Sequence, residues 1–62
     1  MMWIQAKLMV KVGDLVECNN GIHYYITKKR FNSCDMQLAG GEQFQYTHVA
    51  YEHIKEKVDV QA

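Results

Sequence analysis

The stretch Leu15-Val16-Glu17-Cys18-Asn19-Asn20-Gly21-Ile22-His23-Tyr24-Tyr25-Ile26-Thr27 decides the fold. Its even positions 16, 18, 22, 24 and 26 are apolar, whereas Glu17, His23 and Thr27 at odd positions are polar. Alternation with a period of two marks strands that bury one face and wet the other. Between the two runs lies Asn19-Asn20-Gly21, and a three-residue hairpin loop needs positive φ at its last position, which glycine adopts without a Cβ penalty. With that loop Cys18 faces Ile22 and Val16 faces Tyr24, apolar on apolar. A two-residue Asn20-Gly21 loop opposes Cys18 to His23 and mixes the faces, which the alternation forbids.

The same parity extends in both directions. Upstream it takes in Ile4, Ala6, Leu8, Val10 and Val12; downstream it takes in Cys34, Met36, Leu38, Phe44 and Tyr46. Strands are predicted near residues 3–11, 14–18, 22–29, 34–39 and 42–47. Ala39-Gly40-Gly41 repeats the glycine-third pattern, so a second three-residue hairpin is expected, with Met36 facing Phe44 and Cys34 facing Tyr46. Lys28-Lys29-Arg30-Phe31-Asn32-Ser33 interrupts the alternation and is expected to be a loop. Past Thr47, Ala50, Ile54 and Val58 fall four apart, which permits a short helix capped by Thr47. A bend around residues 50–52 leading into a last strand over 53–58 fits as well and is preferred.

The chain has 62 residues, enough for one domain. A chain of this size buries only about 60% of its unfolded surface, so the core is small and gains from outside support. Seven Lys and Arg balance seven Asp and Glu, giving a formal net charge of zero. That removes the broad basic field of non-specific nucleic-acid binders and the acidic surface of a DNA mimic. With 48% hydrophobic and 23% charged residues the composition is that of a folded domain, not a disordered tail. Residues 1–12 carry Lys7 and Lys11 and no long apolar run, which fits neither a signal-peptide core nor a membrane span. Cys18 and Cys34, without a framework pattern, suit free thiols of a cytosolic protein.

Gly13-Asp14-Leu15-Val16, the glycine turn, Tyr24-Tyr25-Ile26, the Gly40-Gly41 hairpin, Tyr46-Thr47-His48-Val49 and Glu52-His53-Ile54-Lys55 together resemble the Src-homology-3-like small barrels. Among these the chain is most similar to Tudor, KOW and retroviral-integrase C-terminal domains, over residues 12–58. The resemblance implies an all-β fold, a small five-stranded antiparallel barrel with a short helical turn before its last strand. To this barrel the sequence adds residues 1–11 as an extra N-terminal edge strand. An unpaired apolar strand must find an edge, either closing the chain's own sheet or pairing with a second copy, and because so small a core gains from oligomerisation the homodimer is preferred.

Cys18, His23, Cys34, His48 and His53 are the residue types that ligate zinc. There is no Cys-x-x-Cys pair, and the cysteines share the core parity while His23 does not, so no metal site is predicted, and no cofactor. A Cys-His nucleophile needs a base in hydrogen-bond reach, an oriented third group and a pocket, which a barrel of this size does not offer; no enzyme activity is expected.

Two binding readings remain. Trp3, Met9, Tyr25, Phe31 and Tyr51 fall off the core parity, and exposed aromatic and Met side chains mark protein interfaces. They predict a non-enzymatic module, a small bacterial or phage accessory protein that docks on a larger protein and modulates it. In the alternative, Lys28, Lys29 and Arg30 grip phosphates of a nucleic acid while Phe31 stacks on a base. Zero net charge favours the protein partner; the resemblance to nucleic-acid-binding barrels favours the other.

Overall fold

A computed structural model describes residues 3–58. A short helix, α1 (Trp3–Met9), precedes four strands, β1 (Leu15–Cys18), β2 (His23–Lys29), β3 (Ser33–Leu38) and β4 (Gln45–Ala50). A 3-10 turn, Tyr51–His53, then leads into β5 (Ile54–Lys57). The strands form one antiparallel sheet in the order β4-β3-β2-β1-β5, and it does not close: β4 and β5 are its edges.

The first hairpin has the register that its sequence dictates. Val16 pairs with Tyr24 and Glu17 with His23, Cys18 N–H donates to the Ile22 carbonyl at 3.0 Å, and Gly21 sits at φ 82°. Asn20 tightens the turn by accepting the Ile22 N–H at 3.0 Å and donating to the Tyr24 hydroxyl at 3.2 Å. Core parity holds through the middle of the sheet, where Val16, Cys18, Tyr24, Ile26, Cys34 and Met36 are buried. The bend at Tyr51–His53 and the last strand also form, so residues 50–58 make no α-helix.

Four expectations are corrected. Residues 3–9 are helical, not an edge strand. Gln5, Ala6, Lys7, Leu8 and Met9 favour helix, and a helix satisfies its own backbone groups where a lone strand needs a neighbour. Its spacing of four then turns Ala6 and Val10 to the core, beside the Tyr51–His53 turn and β5, while Ile4 and Leu8 on the opposite side stay exposed. The second hairpin is two residues out of the expected register. Met36 pairs with Tyr46, not Phe44, and Leu38 N–H donates to the Phe44 carbonyl at 2.8 Å, so the loop spans five residues, 39–43, with Gly40 and Gly41 both at positive φ.

The third correction lies at the far end of β4. Cys34 pairs with Val49, not Tyr46, because the register slips between Cys34 and Met36. His48 takes φ 56° there, a bulge that turns Val49 against the core cluster. A matching slip near Thr27 lets β2 run through Lys28 and Lys29, whose partners are Asp35 and Cys34. The expected loop over residues 28–33 therefore shrinks to a tight turn, closed by Arg30 N–H on the Ser33 carbonyl at 2.8 Å. Because β4 is an edge, Tyr46 on it and Phe44 just before it are only half covered, 45% and 51% exposed.

Candidate protein interface

The helix and the β2–β3 turn are tied together by their basic residues. Lys29 reaches back so that its Nζ donates to the Lys7 carbonyl at 2.6 Å, and Lys7 Nζ lies 4.2 Å from the centre of the Phe31 ring. Arg30 makes a two-pronged pair with Asp35, Nε to Oδ1 at 3.1 Å and Nη2 to Oδ2 at 2.9 Å. The Asp35 hydrogen bonds raise the pKa of the Arg30 guanidinium, and Arg30 in turn, with the His48 N–H, draws the Asp35 carboxyl below its ordinary value. Of the three cations Lys28, Lys29 and Arg30, only Lys28 has neither a side-chain hydrogen bond nor an ion pair among the described residues.

This tethering builds a surface. Phe31 is 79% exposed and is held at the turn by Lys7; Ile4 and Leu8, three residues before and one after Lys7 on α1, are 52% and 77% exposed. Positions 4 and 8 are one helical turn apart, so Ile4 and Leu8 share an exposed face of α1, and Phe31 meets the same helix through the Lys7 ammonium. Met9, 51% exposed, ends the same helix. Tyr25 is exposed on the outer face of β2, between Leu15 and Gln37, and belongs to a different surface. Trp3 opens α1, and its side chain lies outside what the structure describes.

Tyr51 is not an interface residue. It is fully buried, and its hydroxyl donates to the Arg30 carbonyl at 2.8 Å. The parity rule fails here because a 3-10 turn, not a strand, carries the residue. Burial, with the Cys34 thiol close by, pushes the Tyr51 hydroxyl above its ordinary pKa.

A second feature was not legible in the parity. On the core side of the open sheet, Cys18, Tyr24, Met36, Tyr46, Val49 and His53 line a groove of about 280 Å³. Tyr24 and Tyr46 meet edge to face with ring centres 5.7 Å apart. The Cys18 thiol donates to the Met36 sulfur at 3.8 Å, and burial raises its pKa, the opposite of what a nucleophile requires. Cys34 is fully buried and its thiol is pushed up to about 11, by burial first and then by Cys18 and Asp35 nearby.

Among the described residues, no three His, Cys, Asp or Glu side chains are grouped to hold a metal. His23 stands on the outer face, 3.6 Å from Glu17, away from the cysteines on the core side. No helix among the described residues is long and apolar enough to cross a membrane. No family model, no curated protein and no solved structure matches this chain.

Proposed function

We propose that this protein is a non-enzymatic binding module, an accessory protein that docks on a larger protein through the patch formed by Ile4, Leu8 and Phe31, with Met9 at its margin. The observation that carries the reading is the exposed Phe31 ring fixed against α1 by Lys7. A large exposed aromatic at the edge of an apolar helix face suits an anchor residue. The sheet order β4-β3-β2-β1-β5, with a 3-10 turn before β5, supports an Src-homology-3-like small-barrel architecture beneath it. The raised thiol of Cys18 supports the non-enzymatic reading.

Nucleic-acid binding is the second reading, favoured by exposed Lys28 beside exposed Phe31. It is weakened by the engagement of Lys29 with the Lys7 carbonyl and of Arg30 with Asp35. The deciding experiment uses the tagged full chain for capture from its host, with co-purifying protein and nucleic acid both analysed. The docking reading expects a protein that Leu8→Glu and Phe31→Ala lose while circular dichroism stays native. Retention of the same protein by both variants overturns the patch, and recovery of nucleic acid alone overturns the reading.

A further inference from the structure

The two free edges of the sheet differ in kind. β5 carries Lys55, Glu56 and Lys57, all exposed, so antiparallel self-pairing about Glu56 opposes carboxylate to carboxylate and lysine to lysine. Charge of this sort guards an edge against another strand. β4 has no such guard: residues 43–51 contain no Lys, Arg, Asp, Glu or Pro. Its backbone is also available. Leu38 N–H donates to the Phe44 carbonyl and Met36 pairs with Tyr46, so the Phe44 carbonyl and the backbone groups of Tyr46 turn toward β3, while the Phe44 N–H donates to the Glu42 carbonyl at 3.1 Å. By antiparallel alternation, Gln45 and Thr47 turn theirs toward the free edge.

We propose that this edge pairs with the same edge of a second copy of the chain, antiparallel about a two-fold axis at Gln45. The occupant is specified by the sequence of the edge itself. Gln43-Phe44-Gln45-Tyr46-Thr47 runs polar, aromatic, polar, aromatic, polar in either direction, so an antiparallel copy meets it face for face. About Gln45, each Phe44 stands opposite the partner's Tyr46 at a non-hydrogen-bonded position, where cross-strand side chains approach most closely. These are the two aromatics that the open sheet leaves half exposed. The bulge at His48 (φ 56°) stops the pairing there, which keeps the junction short and closed as a dimer. The Ile4, Leu8 and Phe31 patch is on other elements and stays free for a different partner.

Light scattering on the purified full chain, from micromolar to millimolar concentration, tests this. The expected mass is twice 7.3 kDa. Gln45→Lys and Gln45→Glu each place two like charges at the axis, and each should raise the dissociation constant by about tenfold or more with native circular dichroism. Mixing the two variants should restore the dimer, because opposite charges then meet. Gln45→Cys should cross-link to itself on mild oxidation, since its Cα separation in such a pair, about 5.5 Å, suits a disulfide. A monomer throughout, a dimer that neither charge weakens, or masses above the dimer would each overturn the proposal.

Discussion

Asp35 on β3 receives the Arg30 guanidinium through both of its oxygens, at 3.1 and 2.9 Å, and the same Oδ1 accepts the backbone N–H of His48 at 3.1 Å. One carboxylate thus joins the β2–β3 turn to the bulge in β4. Both contacts favour the charged form, Arg30 the more strongly, and hold the Asp35 pKa below its ordinary value.

A depressed folded-state pKa contributes stability that is present above the unfolded value, about 4, and disappears as pH falls through the folded one. The wild type should therefore be more stable than Asp35→Asn at pH 7, and the gap between their melting temperatures should close as pH falls below about 4. Thermal melts of both proteins at a series of pH values measure this. A gap that does not change with pH means that Asp35 acts through shape alone.

His48 is the one described non-glycine residue at positive φ, 56°. A left-handed conformation costs an ordinary residue about 1–2 kcal/mol, and glycine loses only about 0.5–1 kcal/mol of that advantage to its freer unfolded state. His48→Gly should be neutral or stabilising by up to about 1 kcal/mol, whereas His48→Val should destabilise by about 1–2 kcal/mol. Urea titrations decide it, and equal losses in both variants would show that the histidine side chain, not the backbone, carries the effect.

The contrast between the two hairpins explains what was legible in the residues. Around Gly21 the alternatives differ in parity, so the alternation selects the observed register of Val16 on Tyr24. Between β3 and β4 a three-residue and a five-residue loop both oppose even to even. Parity cannot separate Met36 on Phe44 from Met36 on Tyr46, and the longer loop forms. The bulge announced itself only as Val49, an apolar residue out of phase after Tyr46. In α1 the periods of two and four coincide at Ala6 and Val10, so one apolar run fits a strand and a helix alike, and the exposure of Ile4 and Leu8 decides for the helix. The tethered patch depended on Lys7 meeting Phe31, 24 residues away in sequence, which no local pattern reports.

Cys34 has no exposed surface, and its thiol titrates at about 11. An unfolded thiol titrates near 8.5, so the unfolded chain releases this proton first. The stability contributed by the neutral thiol is full below about 8.5 and is lost as pH rises toward 11. Two outcomes are expected: alkaline loss of stability over that window, reduced in Cys34→Ala, and labelling of the thiol by a disulfide reagent at the rate of unfolding. Rapid stoichiometric labelling of Cys34 in native buffer contradicts the buried site.

Salt separates the two binding readings, because it acts on phosphate contacts and apolar contacts differently. Three free cations at residues 28–30 predict an affinity for nucleic acid that falls with log salt at a slope of about −2 to −3. Since Arg30 is paired with Asp35 while Lys28 and Lys29 keep their charge, Lys29 with its Nζ on the Lys7 carbonyl, two cations remain and the expected slope shrinks to between about −1 and −2. An interface centred on Leu8 and Phe31 should change little between low salt and about 0.15 M, where surface charges are screened beyond roughly 8 Å. Charge reversal of Lys28 should then leave partner binding intact, while Phe31→Ala should weaken it by at least about 1 kcal/mol, the loss that marks an anchor residue. Micromolar binding of a short labelled DNA or RNA at physiological salt, abolished by reversing Lys28 and Lys29 and kept in Leu8→Ala, would instead make the β2–β3 turn a phosphate grip.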